Sequence, residues 1–368
     1  MSEPDAESYA LKSAQVAEIP APDLPYQPPT PRNPPPIALI GAGGIAGAHL
    51  DAYRTAGWEV AAICNRSLAR AQARAAEFFP QARVTDRWEA VLDDPAIAVV
   101  DITPHPADRL PIVEAALKAG KHVLSQKPFT ESLDDAERLT ALAEAQGVHL
   151  AVNQNGRWAP HLAWMREAVQ RGLIGTLTSA HVAIAWNHAW IEDTPFEEIH
   201  DLVLYDFGIH WFDFLASLAG DRLQTVTATS AFAAGQGART PLLAQALVTL
   251  DGGQASFAFD GATRHGPSDT TVITGTEGTL QSTGPDLGRQ QVTLTTAAGR
   301  ATPRLAGTWF NDGFRGAMGE LLCAIEQGRP PANSAARNRA TLALTFAACA
   351  SAREGRTVEI GSIRALPR

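Results

Sequence analysis

Ile37-Ala38-Leu39-Ile40-Gly41-Ala42-Gly43-Gly44-Ile45-Ala46 is the stretch that decides the fold. Four apolar residues in a row suit a strand buried on both faces. Glycines follow, and then a helical pattern that runs to about residue 56 and stops at Gly57, a C-cap signal. The G-x-G-x-x-A pattern of Gly41, Gly43 and Ala46 thus falls between a strand and a helix. Glycine there permits a tight turn and close backbone approach to a pyrophosphate, and the helix N-terminus offers unpaired N–H groups to that anion. A glycine turn alone is a weak signal. Its strand–turn–helix setting makes it a dinucleotide site, with Gly41, Gly43, Gly44, Ile45 and Ala46 as the contact turn.

Working outward, short apolar strands are expected over 58–64, 98–102, 122–125 and 149–153, alternating with helices over 67–77, 109–119 and 133–146. That alternation implies βαβ units and a parallel sheet. After about residue 160 the character changes. Strands rich in Thr and Val are expected over 176–186, 223–233, 243–250, 254–260 and 270–274, with Asp251-Gly252-Gly253 as a hairpin turn. Helices are expected over 202–218, 314–326 and 335–352. The fold class is therefore α/β: an N-terminal Rossmann domain over 37–157 and a C-terminal α+β domain over 158–368 with an open, mostly antiparallel sheet. The second unit is expected to bind substrate and to oligomerise.

Residues 1–36 stand apart, since nine of the 25 prolines fall between Pro20 and Pro36. Such chain makes neither a helix interior nor a central strand. It is a disordered tail, or an arm lying on the body or on a partner subunit.

The end of the second strand reads Cys64-Asn65-Arg66-Ser67. NAD sites usually carry a carboxylate about 20 residues after the glycines to bond the ribose 2′-hydroxyl. None stands here, whereas Arg66 and Ser67 suit a 2′-phosphate. NADP is favoured; NAD stays open because Asn65 can also bond a hydroxyl.

Composition narrows the remaining classes. The 368 residues are 45% hydrophobic and 19% charged, with net charge −9. An acidic balance argues against nucleic acid or an anionic membrane as the main partner. No stretch approaches the ~20 apolar residues of a membrane helix. Cys64, Cys323 and Cys349 are scattered, form no C-x-x-C pair and suit a reduced core, hence a cytoplasmic protein.

Ala119-Gly120-Lys121-His122-Val123-Leu124-Ser125-Gln126-Lys127-Pro128 resembles the A-G-K-H-V-x-x-E-K-P signature of the Gfo/Idh/MocA oxidoreductases. Thr103-Pro104 is similar to that family's turn beside the nicotinamide, and Asp206-Phe207-Gly208-Ile209-His210 to its D-x-x-x-H element. The resemblance spans roughly residues 37–360. It implies hydride transfer between a nicotinamide and a hydroxyl- or carbonyl-bearing carbon of a sugar, polyol or sugar acid. It also implies that Thr103, Pro104, Gln126 and Lys127 lie at the cofactor. One departure is clear: the family's glutamate, which helps hold the nicotinamide ribose, is Gln126. A glutamine can still bond hydroxyls.

Chemistry supplies the roles. The cofactor takes the hydride, so the protein must manage the proton. Lys127 follows a strand end, where ligands bind in open α/β sheets, and can stabilise alkoxide charge. Asp206 and His210 are four apart on an expected helix and share a face. His210 can shuttle the proton with Asp206 orienting it or bonding a substrate hydroxyl, and Asp213 stands nearby as a supporting partner. Two ligands on one helix turn lack a third, so no metal site is marked. Asn155, Arg157 and Trp158 follow the last Rossmann strand. Arg157 either clamps a substrate carboxylate or is structural. Trp186 and His188 either face a sugar ring or pack the sheet.

The reading is a nicotinamide-dependent dehydrogenase. A redox-neutral sugar isomerase, epimerase or lyase with tightly held cofactor is the first rival, and a non-catalytic NADP sensor the second. An open sheet with a bare face predicts a homodimer or homotetramer through the C-terminal sheet.

Overall fold

The computed structural model describes residues 16–199 and 201–367. The first sheet holds β1 (Ile37–Ile40), β2 (Val60–Cys64), β3 (Arg83–Thr85), β4 (Val99–Ile102), β5 (His122–Gln126) and β6 (Leu150–Asn153). All pairings are parallel, in the order β3-β2-β1-β4-β5-β6, a doubly wound Rossmann sheet. The intervening helices are α1 (Ala46–Thr55), α2 (Leu68–Phe78), α3 (Glu89–Leu92), α4 (Pro106–Lys118) and α5 (Leu133–Ala145). Every residue of β1, β4 and β6 is buried, as continuous apolar strands under two helical layers must be.

After α6 (Pro160–Gln170) the second sheet begins with β7 (Leu177–Ala185). Then come α7 (Ile209–Ala219), β8 (Leu223–Ala231), β9 (Leu243–Leu250), β10 (Gly253–Asp260), β11 (Ser268–Gly275), β12 (Gly278–Asp286), β13 (Arg289–Thr296) and β14 (Gly299–Ala301). The chain closes with α8 (Trp309–Gln327), α9 (Ala335–Glu354) and β15 (Val358–Glu359). The order is β14-β13-β12-β11-β7-β10-β9-β8-β15. Only β7–β10 is parallel. β9 alternates strictly, with Ala244, Ala246, Val248 and Leu250 buried and Gln245, Leu247 and Thr249 exposed. One face is therefore core and the other is bare.

Two features bind the halves. Phe314, Met318 and Leu321 of α8 pack with Leu39, Leu50 and Tyr53 of the Rossmann core. Helix α9 touches α5, α7 and β8, so it bridges both sheets.

The proline-rich segment corrects the expectation of a free tail over its described part. Residues 16–36 lie on the body of their own chain. Ile19 N donates to Arg300 O at 2.8 Å, Leu24 is 6% exposed, and Ala306 N donates to Tyr26 Oη at 2.9 Å. Pro29 O sits so close to Gly319 that a Cβ there would be 2.2 Å away. The expectation for residues 1–15 lies outside the described residues. The expected helix over 202–218 is also corrected: Val203–Phe207 is a wide π-helical turn, and α7 starts only after Gly208.

Candidate active site

Lys127 stands at the C-terminal end of β5, in the crevice where open α/β sheets bind ligands. Its peptide to Pro128 is cis. The segment is stitched down by Arg109 of α4, which is 1% exposed. Its guanidinium donates to Pro104 O at 2.5 Å, to Phe129 O at 3.2 Å and to Pro128 O. Burial lowers the Arg109 pKa to about 10, so it stays charged at neutral pH. One buried cation thus fixes the turn after β4 against the turn after β5, which no motif announced.

The second half of the site comes from the other sheet's helices. The π turn carries Asp206 to Lys127: Nζ lies 3.0 Å from Asp206 Oδ1 and donates to Asp206 O at 2.8 Å. Both side chains keep some solvent contact, at 16% and 14% exposure. Asp206 therefore pairs with Lys127, and the expectation that it orients His210 is corrected. The carboxylate is taken by the Lys127 ammonium, and His210 Nδ1 receives no bond from it. His210 Nδ1 is buried without a partner, and the ring meets Trp309 edge-on at 5.3 Å and Trp211 at 6.3 Å. Burial, aided by the Lys127 charge, holds His210 well below the ordinary histidine range. Gly156 lies beneath it. A Cβ there would come 2.9 Å from Trp309 and 3.5 Å from His210, so glycine is what lets the imidazole seat.

The glycine turn is open where a phosphate would lie. Gly41 has φ 105°, and a Cβ on it would stand 2.4 Å from Thr103 Oγ1 and 2.9 Å from Pro104 Cδ. Gly43 and Gly44, by contrast, face open space. Ile45 is the N-cap of α1 and lends no side-chain cap; Ala46 starts the helix. Thr103 Oγ1 donates to Gly41 O at 2.9 Å and so braces the turn. Asn65 Oδ1 accepts from Ala42 N at 3.0 Å and its Nδ2 donates to Ser67 O at 3.1 Å. Asn65 thus braces the turn with one N–H and one lone pair of its amide. Arg66 is 88% exposed beside Asp108, and Ser67 makes no cap bond. Arg74 of α2, unmarked in the sequence, reaches Gly43 O at 3.5 Å. Gln154, 1% exposed, has neither amide atom partnered among the described residues. An open glycine cradle with two arginines beside it fits a dinucleotide.

Several substrate candidates are corrected. Arg157 is 7% exposed and locked bidentately on Asp213, with Nε to Oδ2 at 2.6 Å and NH2 to Oδ1 at 2.8 Å. It is structural, and Asp213 serves it rather than His210. Trp158, 4% exposed, packs on Gly316 and under Arg166. Asn155 Oδ1 accepts from Trp309 Nε1 at 3.3 Å and so holds the ring against which His210 sits. Gln126 turns its amide inward, away from the role of ribose ligand. Trp186 and His188 do join the aromatic wall: Trp186 meets Trp211 at 5.5 Å, and His188 stacks on Phe207 at 4.3 Å. Burial lowers the His188 pKa to about 4. A cavity of about 870 Å³ lies under the arm between Tyr26, Arg166 and Arg337 and holds none of Lys127, Asp206 and His210. The candidate site lies instead where the end of β5 meets the π turn and the start of α7.

Residues 36–154 match the oxidoreductase family with an NAD-binding Rossmann fold, and residues 162–281 match the GFO/IDH/MocA C-terminal domain. A D-apiose dehydrogenase of Paraburkholderia graminis is 31% identical over 89% of this chain and 90% of its own. The chain belongs to the Gfo/Idh/MocA oxidoreductases. An inositol 2-dehydrogenase of Rhizobium meliloti in the same family is 27% identical over 88% of this chain and 98% of its own. Among solved structures, an oxidoreductase of Agrobacterium radiobacter, in complex with NAD+, L-tartaric acid and magnesium, superposes with TM-score 0.79. It is 24% identical and covers 90% of this chain and 99% of its own. Among the described residues, no group of three His, Cys, Asp or Glu could hold a metal, and no helix is long and apolar enough to cross a membrane.

Removing the arginine of a buried pair leaves an uncompensated charge, at a cost of about 3–5 kcal/mol. Arg157→Met should therefore lower the urea midpoint strongly, while Arg157→Met/Asp213→Leu recovers most of it. Equal stability of the single variant and the wild type would refute the structural role.

Proposed function

We propose that this chain transfers hydride between NADP and a neutral sugar or polyol, with Lys127 and His210 managing the proton. The observation that carries it is the meeting of Lys127, Asp206 and His210 at the crevice beyond β5. When bound, the nicotinamide accepts or supplies the hydride. Lys127 donates a hydrogen bond to the reacting oxygen and stabilises its developing negative charge. Asp206 holds the ammonium in place and takes up its other hydrogen-bonding direction. His210 is neutral at neutral pH and open to the hydroxyl proton, so carbon loses hydride and oxygen loses a proton in one exchange. The aromatic wall of Trp186, His188, Trp211 and Trp309 suits the apolar face of a sugar ring. Neutrality follows from the charges: Arg157 is occupied by Asp213 and Arg109 by carbonyls, so neither clamps a carboxylate. The relatives named as apiose and inositol dehydrogenases support the same substrate class.

Arg66, Ser67 and Arg74 around the glycine turn support NADP over NAD. Three free, buried cysteines suit a reducing compartment such as the cytoplasm. A second copy of the chain would cover the bare sheet face, where Leu247 is 62% exposed amid small residues and threonines.

Four outcomes are expected. Lys127→Met should lower kcat by about a thousandfold or more without weakening cofactor binding, measured by nicotinamide fluorescence; wild-type turnover would sink the reading. Since the His210 pKa is lowered, the acceptor stays unprotonated as pH falls through 6.5, and kcat/KM for oxidation should hold steady there in wild type. Arg66→Ala should reduce kcat/KM for NADP about tenfold with NAD barely changed; an equal loss for both cofactors would count against 2′-phosphate recognition. Leu247→Lys should shift the mass in light scattering toward the monomer. A mutant that keeps the wild-type assembly would exclude the sheet face.

A further inference from the structure

Beneath the Lys127 segment, five side chains form one buried hydrogen-bond chain. His49 and Tyr53 stand four apart on α1 and both face β4. Tyr53 Oη donates to Asp101 Oδ2 at 2.6 Å, and His49 Nδ1 lies 2.7 Å from the same oxygen. On its other side, His49 Nε2 lies 3.0 Å from Gln126 Nε2 and 3.2 Å from Asn153 Nδ2. Gln126 Oε1 accepts from Lys127 N at 2.7 Å and from Asn153 Nδ2 at 3.3 Å. His49, Tyr53, Asp101 and Asn153 are 0% exposed and Gln126 is 6% exposed.

The donors along this chain leave one self-consistent arrangement. A backbone N–H can only donate, so Lys127 N makes Oε1 the acceptor end of Gln126. The amide nitrogen of Gln126 must then point at His49 and donate. A ring nitrogen that receives a donor carries no hydrogen, so Nε2 is bare and the imidazole proton sits on Nδ1. There it meets Asp101, a carboxylate on a strand otherwise apolar and buried. A glutamate at 126 would offer His49 an acceptor instead of a donor, and the ring would then draw a second proton. Glutamine is thus the side chain that suits a neutral imidazole here.

We propose that His49 is a positioning residue for Lys127: a neutral, Nδ1-protonated imidazole braced on Asp101 holds Gln126, and Gln126 holds the Lys127 backbone. The proposal rests on the reading of Lys127 as the group at the reacting oxygen. Burying a carboxylate and an imidazole is costly unless each is bonded, and an apolar pair would fill the same space more cheaply. What the polar chain adds is direction. It ends on the backbone N–H of the residue whose ammonium meets Asp206, where displacement of about 1 Å can cost a hundredfold in rate.

The test uses the full chain with selectively labelled histidine. Nitrogen NMR should find His49 as the Nδ1–H tautomer in wild type and doubly protonated in Gln126→Glu. An Nε2–H tautomer, or a charged ring, in wild type would overturn the proposal. His49→Gln, which can still accept from Gln126, should lose about tenfold in kcat with cofactor affinity kept, whereas His49→Leu should lose about a hundredfold. Both should move the Lys127 amide resonance. Wild-type kcat and an unmoved Lys127 amide in His49→Leu would overturn the positioning role. Full turnover in Lys127→Met, with the tautomer as expected, would instead strike at the reading of Lys127 itself.

Discussion

Everything in this molecule converges on the contact between Lys127 and Asp206. One partner comes from the end of a Rossmann strand and the other from a π turn ahead of α7, 79 residues later. The ammonium is half-enclosed, so its charge is screened less than on an open surface and needs its carboxylate. Both partners are held from behind. Arg109 ties the cis Lys127–Pro128 segment to the turn after β4, and Gln126 holds the Lys127 amide from within. On the other side, Gly156 and Trp309 seat His210 one turn beyond Asp206. Rigid elements thus present the polar groups, and Lys127 and Asp206 keep some solvent contact.

That arrangement also sorts charge by depth. The Arg157–Asp213 pair cancels itself inside the core, and Arg109 bonds only carbonyl oxygens. At the site, Lys127 and Asp206 cancel each other, and His210 is neutral. A neutral polyhydroxy compound meets such a surface without leaving any charge unpaired. An acid would bring a carboxylate to a place where the nearby guanidiniums are already engaged.

Much of this was legible in the chain, and for physical reasons. The glycine turn and the continuous apolar strands announce a Rossmann sheet because local sterics and two-sided burial leave few alternatives. The strict alternation of 243–250 announces a half-buried strand in the same way. Lys127 and His210 were visible through their motif. What stayed hidden depends on partners distant in sequence. Nothing near Arg157 reveals that Asp213, 56 residues away, will take two of its three nitrogens. The spacing of Asp206 and His210 suggested a bond between them, and Lys127, 79 residues away, took the carboxylate instead. The proline count spoke only of extended backbone, while Leu24 and Tyr26 supplied the docking. His49 stood three residues past the glycine motif as a lone histidine, and only the fold brings Asp101 and Gln126 to it.

The most direct measurement is the structure of the ternary complex with NADP and a neutral sugar that the enzyme turns over. The account predicts the reacting hydroxyl at about 3 Å from Lys127 Nζ, with Asp206 still on the ammonium and His210 within reach of the same oxygen. A reacting hydroxyl held by other groups, with Lys127 engaged only by Asp206, would contradict it.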